Sequence, residues 1–320
     1  MHHDKDSRLT SKRVILTSFS IDILDLVSSI VVAWLSGSIV MFTQALEGFT
    51  DLVSSGLLVF GLKRSLRKAD KDHPFGYGRE IYFWTLISAL VMLGSTAVLS
   101  LYFGYQRFIH PYHLSDVPYA LIVLVVTIFT NGYGFTLSYR RLLKGRSLRN
   151  IARVFYRSSL IEIKTTFILD LMGTCASVLG IIAIGLYALT GDSRYDGLGA
   201  MTIGLVLIFF GFFLIAGIRD LLVGRSAAPH VEQKIREAAL NVPEVEDVLG
   251  IKTVHVGSEK LLVALDVHMH SDLKTRELEM LMDEIKAEVR KVVPSVKYIQ
   301  VELETRDRKE IRGKAKWHSG

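Results

Sequence analysis

Six long apolar stretches constrain this chain more than any other feature. A helix needs about 20 residues to cross a hydrocarbon core of about 30 Å, and each stretch is at least that long. We therefore expect six transmembrane helices. No cleavable signal peptide is recognisable before the first stretch, so we expect that span to stay in the membrane. The stretches run approximately over residues 14–35, 39–62, 81–105, 119–139, 160–189 and 198–218.

The charged residues of the first part of the chain predict its orientation. The net charge of +6 is concentrated in the segment before the first span and in the linkers 63–79 and 140–157. Such loops are cytosolic by the positive-inside rule, so we expect both termini in the cytosol and the protein in a plasma (inner) membrane. The opposite loops are poor in Lys and Arg, with Arg107 and Arg194 as their cations. This distribution indicates contact with lipid headgroups and no nucleic-acid partner.

The C-terminal part changes to the alternation of a soluble domain. The pattern predicts the order α-β-β-α-β, which is typical of a ferredoxin-like, split βαβ layer with both helices on one sheet face. We expect four segments: a cytosolic tail over 1–12, a six-helix domain over 13–222, a cytosolic domain over 227–305 and a disordered charged tail over 306–320. The predicted elements are a helix over 231–240, strands over 245–256 and 260–270, a helix over 274–292 and a strand over 296–304.

Acidic residues interrupt the apolar spans, although ionisable groups within a bilayer are energetically unfavourable and are usually functional. Glu47 and Asp51 are four residues apart and therefore share a helix face. Glu162, Thr166 and Asp170 repeat every four residues on a second helix. Carboxylates this close in a low dielectric either share protons or hold a divalent cation. For Glu47, Asp51 and Asp170 we favour an ion site.

Two further features narrow the chemistry. Asp22 and Asp25 lie three residues apart in the first span, and with Glu162 they are candidates for a proton pathway. Cys175 is the single cysteine and lies in an apolar stretch, which excludes disulfides and argues against a thiolate metal site. No glycine-rich phosphate loop is present, so an ATP-driven pump is not expected.

Short motifs resemble those of the cation diffusion facilitator family of divalent metal exporters. They are Gly37-Ser38 before the second span, the segment Asp72-His-Pro-Phe-Gly-Tyr-Gly-Arg-Glu80 at the entry to the third, and Asp170-Leu-Met-Gly173 in the fifth. The resemblance covers residues 10 to 305 and implies a homodimeric transporter that is not an enzyme and has no cofactor. Its substrates would be a divalent metal and protons.

The resemblance also implies the positions of metal ligands. The transport site falls on Glu47, Asp51, Thr166 and Asp170, where Thr166 replaces the His or Asp that is frequent in the family. An all-oxygen site suits harder cations, so we expect Mn²⁺, with Fe²⁺, Mg²⁺ or Zn²⁺ as alternatives.

Accessory metal ligands of the family correspond to Asp70 and His73 in the loop after the second span. In the cytosolic domain they correspond to Asp266, with His268 nearby, but Lys252 occupies another ligand position and is not a ligand.

The resulting hypothesis is a divalent metal exporter that exchanges the metal for protons by alternating access. Two other classes stay open. The first is a membrane scaffold that does not transport and keeps vestigial metal sites, an alternative supported by Thr166 and Lys252. The second is a proton-coupled transporter of an organic cation, which would need a roomy aromatic pocket.

Overall fold

The structure is a computed structural model that describes residues 22–143, 161–270 and 273–304. It consists of two compact units. The first contains the long helices up to residue 219, without residues 64–80. The second contains residues 64–80 together with the chain from residue 220 onward. The expected tails over 1–12 and 306–320 lie outside the described residues.

The first unit is built from long apolar helices. Its first helix, α1, is described over residues 22–36, so most of the first half of the predicted span lies outside the described part. Among the described residues, five further helices are long and apolar enough to cross a membrane. They extend the predicted spans by a few residues at their ends. These helices are α2 (Ile39–Ser65), α3 (Glu80–Ile109), α4 (Val117–Leu143), α5 (Ile161–Thr190) and α6 (Arg194–Val223).

Helices α3 and α6 approach each other closely through glycine. A Cβ atom on Gly104 would lie 2.8 Å from the backbone oxygen of Gly197, and one on Gly197 would lie 2.6 Å from the oxygen of Gly104. Only glycine permits this backbone separation. Helix α3 also contains a π-helical turn over Leu93–Ala97, and within it Thr96 hydrogen-bonds to Thr50 of α2 at 2.7 Å. These contacts fix α3 against both α6 and α2.

The soluble elements confirm the predicted order α-β-β-α-β. The sheet order is β1-β2-β3, with β1 and β2 antiparallel and β2 and β3 parallel. The expectation of a split βαβ unit was wrong for the described strands, because β2 and β3 are direct hydrogen-bonded neighbours with no strand between them. The elements are α7 (Pro229–Leu240), β1 (Val245–Gly257), β2 (Lys260–Met269), α8 (Thr275–Val292) and β3 (Val296–Leu303).

Both helices of this domain cover one face of the sheet. In α8 the residues Leu281, Ile285 and Val289, spaced four apart, are buried, as expected for an amphipathic helix. They join a core that includes Ile235 of α7 and alternate residues of β2, such as Val263. Burial of alternate strand residues is the pattern of a sheet with one covered face.

The segment 64–80 belongs to the same unit as the sheet. Gly78 lies so close to the backbone of Val256 and Gly257 that a Cβ atom would clash there. Phe75 packs edge-to-face on Tyr298 at 5.2 Å between ring centroids. The glycine-rich motif between the second and third spans therefore has a packing role against the C-terminal domain.

Candidate functional site

A small cavity within the helical unit brings together acids that are distant in the sequence. Its volume is about 40 Å³, which is room for one or two waters or a small ion. Carboxylates from α1 and α2 line it together with polar groups of α4. The lining residues are Asp22, Asp25, Ser29, Gln44, Glu47, Gly48, Asp51, Thr127 and Asn131.

Glu47 is held in place on one side and free on the other. Its side chain is buried, with 6% exposure, and its Oε2 atom accepts a hydrogen bond of 3.2 Å from Nε2 of Gln44. Gln44 is itself fixed by Ser177 of α5, whose hydroxyl donates to Oε1 of Gln44 at 3.0 Å. The other carboxylate atom, Oε1 of Glu47, is buried and has no hydrogen-bond partner among the described residues. An unpaired buried acceptor is energetically unfavourable, so this oxygen is available for a proton or a cation.

Asp51 lies at the centre of the acidic group. It is one helical turn after Glu47, and the two carboxyl groups interact electrostatically. It is also close enough to interact with Asp170 of α5 and Asp22 of α1. The acid pair of α2 and the acid of α5 are thus neighbours.

Contacts between α4 and α5 position Asp170. Its Oδ2 atom accepts a hydrogen bond of 3.0 Å from the hydroxyl of Ser138. Gly134 of α4 faces the same carboxylate, and a Cβ atom there would lie 2.8 Å from Oδ1. Asp170 itself is not among the residues that line the cavity. The absence of a side chain at position 134 leaves the space that the carboxylate occupies.

The acids of α1 reach the same cavity. Asp22 and Asp25 both line it, and Oδ2 of Asp25 accepts a hydrogen bond of 2.6 Å from the hydroxyl of Thr130 on α4. The three-residue spacing predicts that Asp22 and Asp25 share a helix face, but it does not predict which residues lie opposite that face. The structure places the face towards Glu47 and Asp51.

Other expected site residues are placed differently. The side chain of Thr166 is exposed and is not among those lining the cavity. The side chain of Glu162 lies outside the described part of the chain. Over the described ranges, no three His, Cys, Asp or Glu side chains are grouped as a ready-made metal cage. The acids are therefore neighbours without being arranged for coordination.

Cys175 of α5 lies in the neighbourhood of the acids. It is partly buried on α5 and close enough to Glu47 for an electrostatic interaction. Like Ser138 and Thr130, it gave no sequence signal, because its partners lie on other helices.

The accessory pair in the segment 64–80 does come together. Nδ1 of His73 lies 3.5 Å from Oδ1 of Asp70. The hydroxyl of Tyr77 donates to Oδ2 of Asp70 at 2.6 Å, and the backbone N–H of His73 donates to Oδ1 at 2.8 Å. These hydrogen bonds, that from Tyr77 above all, lower the pKa of Asp70. Both carboxylate oxygens are already used within the loop.

The accessory residues of the sheet are engaged separately. Oδ2 of Asp266 lies 4.0 Å from Nζ of Lys252, the residue that interrupts the family's ligand set. His268 instead pairs with Glu246, whose Oε2 lies 3.3 Å from Nε2 of the ring. Oε1 of Glu246 lies 3.5 Å from Nε2 of His270. Asp266 and His268 therefore have different charged partners.

Together, the apolar helices and the small α/β domain define a multi-pass integral membrane protein with a soluble C-terminal domain. Residues 15–222 match the family model described as the cation efflux transmembrane domain. Residues 228–305 match that of the cation efflux protein cytoplasmic domain. The chain therefore belongs to the cation efflux, or cation diffusion facilitator, family of metal transporters. Its members are transporters and not enzymes.

Individual relatives are distant in sequence. The human mitochondrial proton-coupled zinc antiporter SLC30A9 is 28% identical over 249 residues, which are 76% of this chain and 44% of that protein. The chain thus spans less than half the length of that relative. The magnetosome protein MamB of Magnetospira sp. (strain QH-2) is 25% identical over 90% of this chain and 93% of its own. Among solved structures, a cadmium form of a MamM CTD variant covers 24% of this chain and 96% of its own, at 20% identity and a TM-score of 0.23.

Proposed function

We propose that this protein exports a divalent metal cation in exchange for protons by alternating access. The observation that supports this most is the buried and unpartnered Oε1 of Glu47 in a cavity that it shares with Asp51 and the acids of α1. Several neighbouring carboxylates in a low dielectric favour a bound cation or bound protons. Family membership and the activity of the human relative, a proton-coupled zinc antiporter, support the same function.

The ligands in this proposal are Glu47, Asp51, Asp170 and Thr166. Since the carboxylates are not arranged as a finished cage, ion binding would draw α2 and α5 together around the metal. Binding would thereby be coupled to a change of helix packing, as alternating access requires. Asp22, Asp25 and Glu162 would carry protons to and from these ligands, because carboxylates bind either a proton or a metal through the same oxygens.

The transported metal is either a hard cation such as Mn²⁺, or Zn²⁺. The all-oxygen ligand set favours Mn²⁺, with Fe²⁺ and Mg²⁺ as related hard cations. Zn²⁺ is the second candidate, because Cys175 lies near Glu47 and the human relative is a zinc antiporter. Sulfur is a preferred zinc ligand.

The finer architecture is also part of the proposal. We infer six transmembrane helices, with α1 continuing into residues before position 22, and both termini in the cytosol of a plasma (inner) membrane. The match to a cytoplasmic dimer-forming domain supports a homodimer. Asp70 with His73, and Asp266 with His268, would be at most weak accessory metal sites.

Two alternatives have less support. A scaffold without transport activity has no need of a buried, unpartnered carboxylate oxygen in a membrane domain. An organic cation would need a pocket of several hundred Å³, whereas the acidic cavity measures about 40 Å³. The metal hypothesis fits the size and the charge of the cavity.

The test is transport by the full chain in proteoliposomes supplied in turn with Mn²⁺, Fe²⁺, Zn²⁺ and Mg²⁺. Asp51→Ala and Asp170→Ala should abolish uptake while leaving a folded protein, because each removes a charged oxygen donor. Asp192→Ala, a change at an exposed carboxylate that binds the backbone of Arg194, is the matched control and should transport normally. Wild-type rates in both site variants would contradict the assignment.

A further inference from the structure

The first turn of α2 is capped by a residue from another helix. Asp196 of α6 is fully buried. Its Oδ2 atom accepts the backbone N–H of Ile39 at 2.8 Å, and its Oδ1 atom accepts the N–H of Val40 at 3.1 Å. The hydroxyl of Ser38 donates to the same Oδ1 at 2.5 Å. These N–H groups have no acceptor within their own helix, and the positive end of the helix dipole favours the carboxylate.

A buried arginine lies next to Asp196 at this end of the bundle. Arg107, near the end of α3, is 2% exposed. Its guanidinium donates to the backbone oxygens of Gly37 and Tyr112, and it stacks 3.3 Å from the centre of the Tyr112 ring. Its Nε atom lies 3.7 Å from Oδ2 of Asp196. The position of Arg107 in the sequence predicts a cation in a loop, but its side chain is buried against the start of α2.

Arg107 and Asp196 form an ion pair without a direct hydrogen bond between Nε and Oδ2. A distance of 3.7 Å between Nε and Oδ2 exceeds that of a hydrogen bond. Within the part of the chain that the structure describes, Nε of Arg107 has no hydrogen-bond partner. A buried ion pair adds little net stability, since the loss of hydration offsets much of the attraction. Both ions regain hydration when the pair separates in water. Such a contact can therefore open more readily than an apolar seam of the same size.

The pair lies at the end of the bundle where α2 begins, and α2 also carries Glu47 of the candidate ion site. Glu47 is eight residues after Ile39 on α2, which is about 12 Å along a helix. Around the pair, Ser38 and Met41 are almost completely buried, so this end is sealed. An ion that leaves the cavity towards the start of α2 must pass through this region.

We propose that Arg107 and Asp196 form a latch that seals the bundle where α2 begins and that releases when the cavity opens to that face. The inference rests on the proposed transport function, because a sealed end needs to open only in a protein that moves its substrate through it. The two residues act on α2 and do not bind the metal.

The test measures how fast a buried cysteine reacts with a polar thiol reagent. The parent is the full chain in nanodiscs with Cys175→Ser and Met41→Cys, since Met41 is fully buried beside the latch. Asp196→Asn removes the charge but keeps an oxygen that can cap α2, and Arg107→Gln removes the other charge. Each should raise the labelling rate at position 41 about tenfold, because the remaining buried charge is left uncompensated.

Two controls separate a latch from general destabilisation. Arg194→Gln makes the same change at an exposed arginine of α6 and should leave the rate at position 41 unchanged. A cysteine at Thr85, which is fully buried in the opposite half of α3, should stay protected in both latch variants. No acceleration at position 41 in either latch variant, or an equal acceleration at position 85, would overturn the proposal.

The labelling result does not depend on transport. If the wild-type protein moved no metal, the function proposed above would fail while the labelling still decided whether the ion pair seals this end. Asp51→Ala should abolish transport but keep position 41 protected. If Asp51→Ala raised the labelling rate as much as Asp196→Asn does, the seal would not be specific to the latch, and the proposal would fail.

Discussion

The close approach of α4 to Asp170 gives the sharpest prediction about the site. In Gly134→Ala the new Cβ atom would lie 2.8 Å from Oδ1 of Asp170, whereas ordinary van der Waals contact begins at 3.4 Å. The carboxylate or the helix must therefore move by about 0.6 Å, the difference between these distances. Well-packed interiors do not absorb such a shift without strain.

The same helix supplies a matched control. A Cβ atom on Gly132 would meet nothing within 4 Å, so Gly132→Ala should bring only the gain in helix propensity of about 1 kcal/mol. In Gly134→Ala an overpacking cost of roughly 1–3 kcal/mol should cancel or exceed that gain.

The assay is metal uptake in proteoliposomes, together with thermal unfolding in detergent. Displacement of a reacting group by about 1 Å can reduce a rate about a hundredfold, so a shift of half that size should reduce uptake by Gly134→Ala on the order of tenfold. Gly132→Ala should transport at the parental rate and melt slightly higher. Equal uptake by the two variants would refute the placement of Asp170 against α4.

Three further changes test contacts around the cavity and the segment 64–80. Gln44→Leu removes the hydrogen bond to Glu47, worth about 0.5–1.5 kcal/mol, and should raise the KM for metal uptake roughly threefold to tenfold; an unchanged KM would show that Glu47 does not need this support. Cys175→Ser should lower the ratio of Zn²⁺ to Mn²⁺ uptake, because it removes a sulfur ligand that zinc prefers. An unchanged ratio would show that the thiol does not contact the ion and would leave Zn²⁺ without a structural argument. Tyr77→Phe should raise the pKa of Asp70, because it removes the main hydrogen bond that lowers it. The stability that this bond adds is present at neutral pH and is lost as the pH falls through the lowered pKa, so the variant should differ from the parent at neutral pH and not in acid. Carboxyl ¹³C NMR of labelled aspartate measures the shift.

Local sequence signals were sufficient for the elements and for the acid pair of α2. The soluble domain was predicted to within two residues at each element end, because strand alternation and helical periodicity are local. The four-residue spacing of Glu47 and Asp51 likewise needs no tertiary information. The parallel pairing of β2 with β3 was not predictable, since the order of elements alone does not state which strands are neighbours.

Long-range contacts account for most of what was missed. The residues next to Arg107 in the sequence do not distinguish it from an arginine in an exposed loop. Arg107 is buried beside Asp196 because α3 packs on α6. The proximity of Cys175 to Glu47 depends on the rotation of α5 against α2, which apolar helices do not reveal through periodicity. Thr166 is four residues before Asp170, but its side chain is exposed, and neither residue lines the cavity.

The central claim is that the acids of the cavity bind metal and protons in competition. The most direct measurement records metal influx and proton efflux together in the same proteoliposomes, with a fluorescent metal indicator and a pH-sensitive dye. The wild-type protein should move protons outward only while metal enters, and Asp51→Asn should lose both fluxes together. Metal influx without proton efflux in the wild-type protein, or unchanged fluxes in Asp51→Asn, would contradict the account.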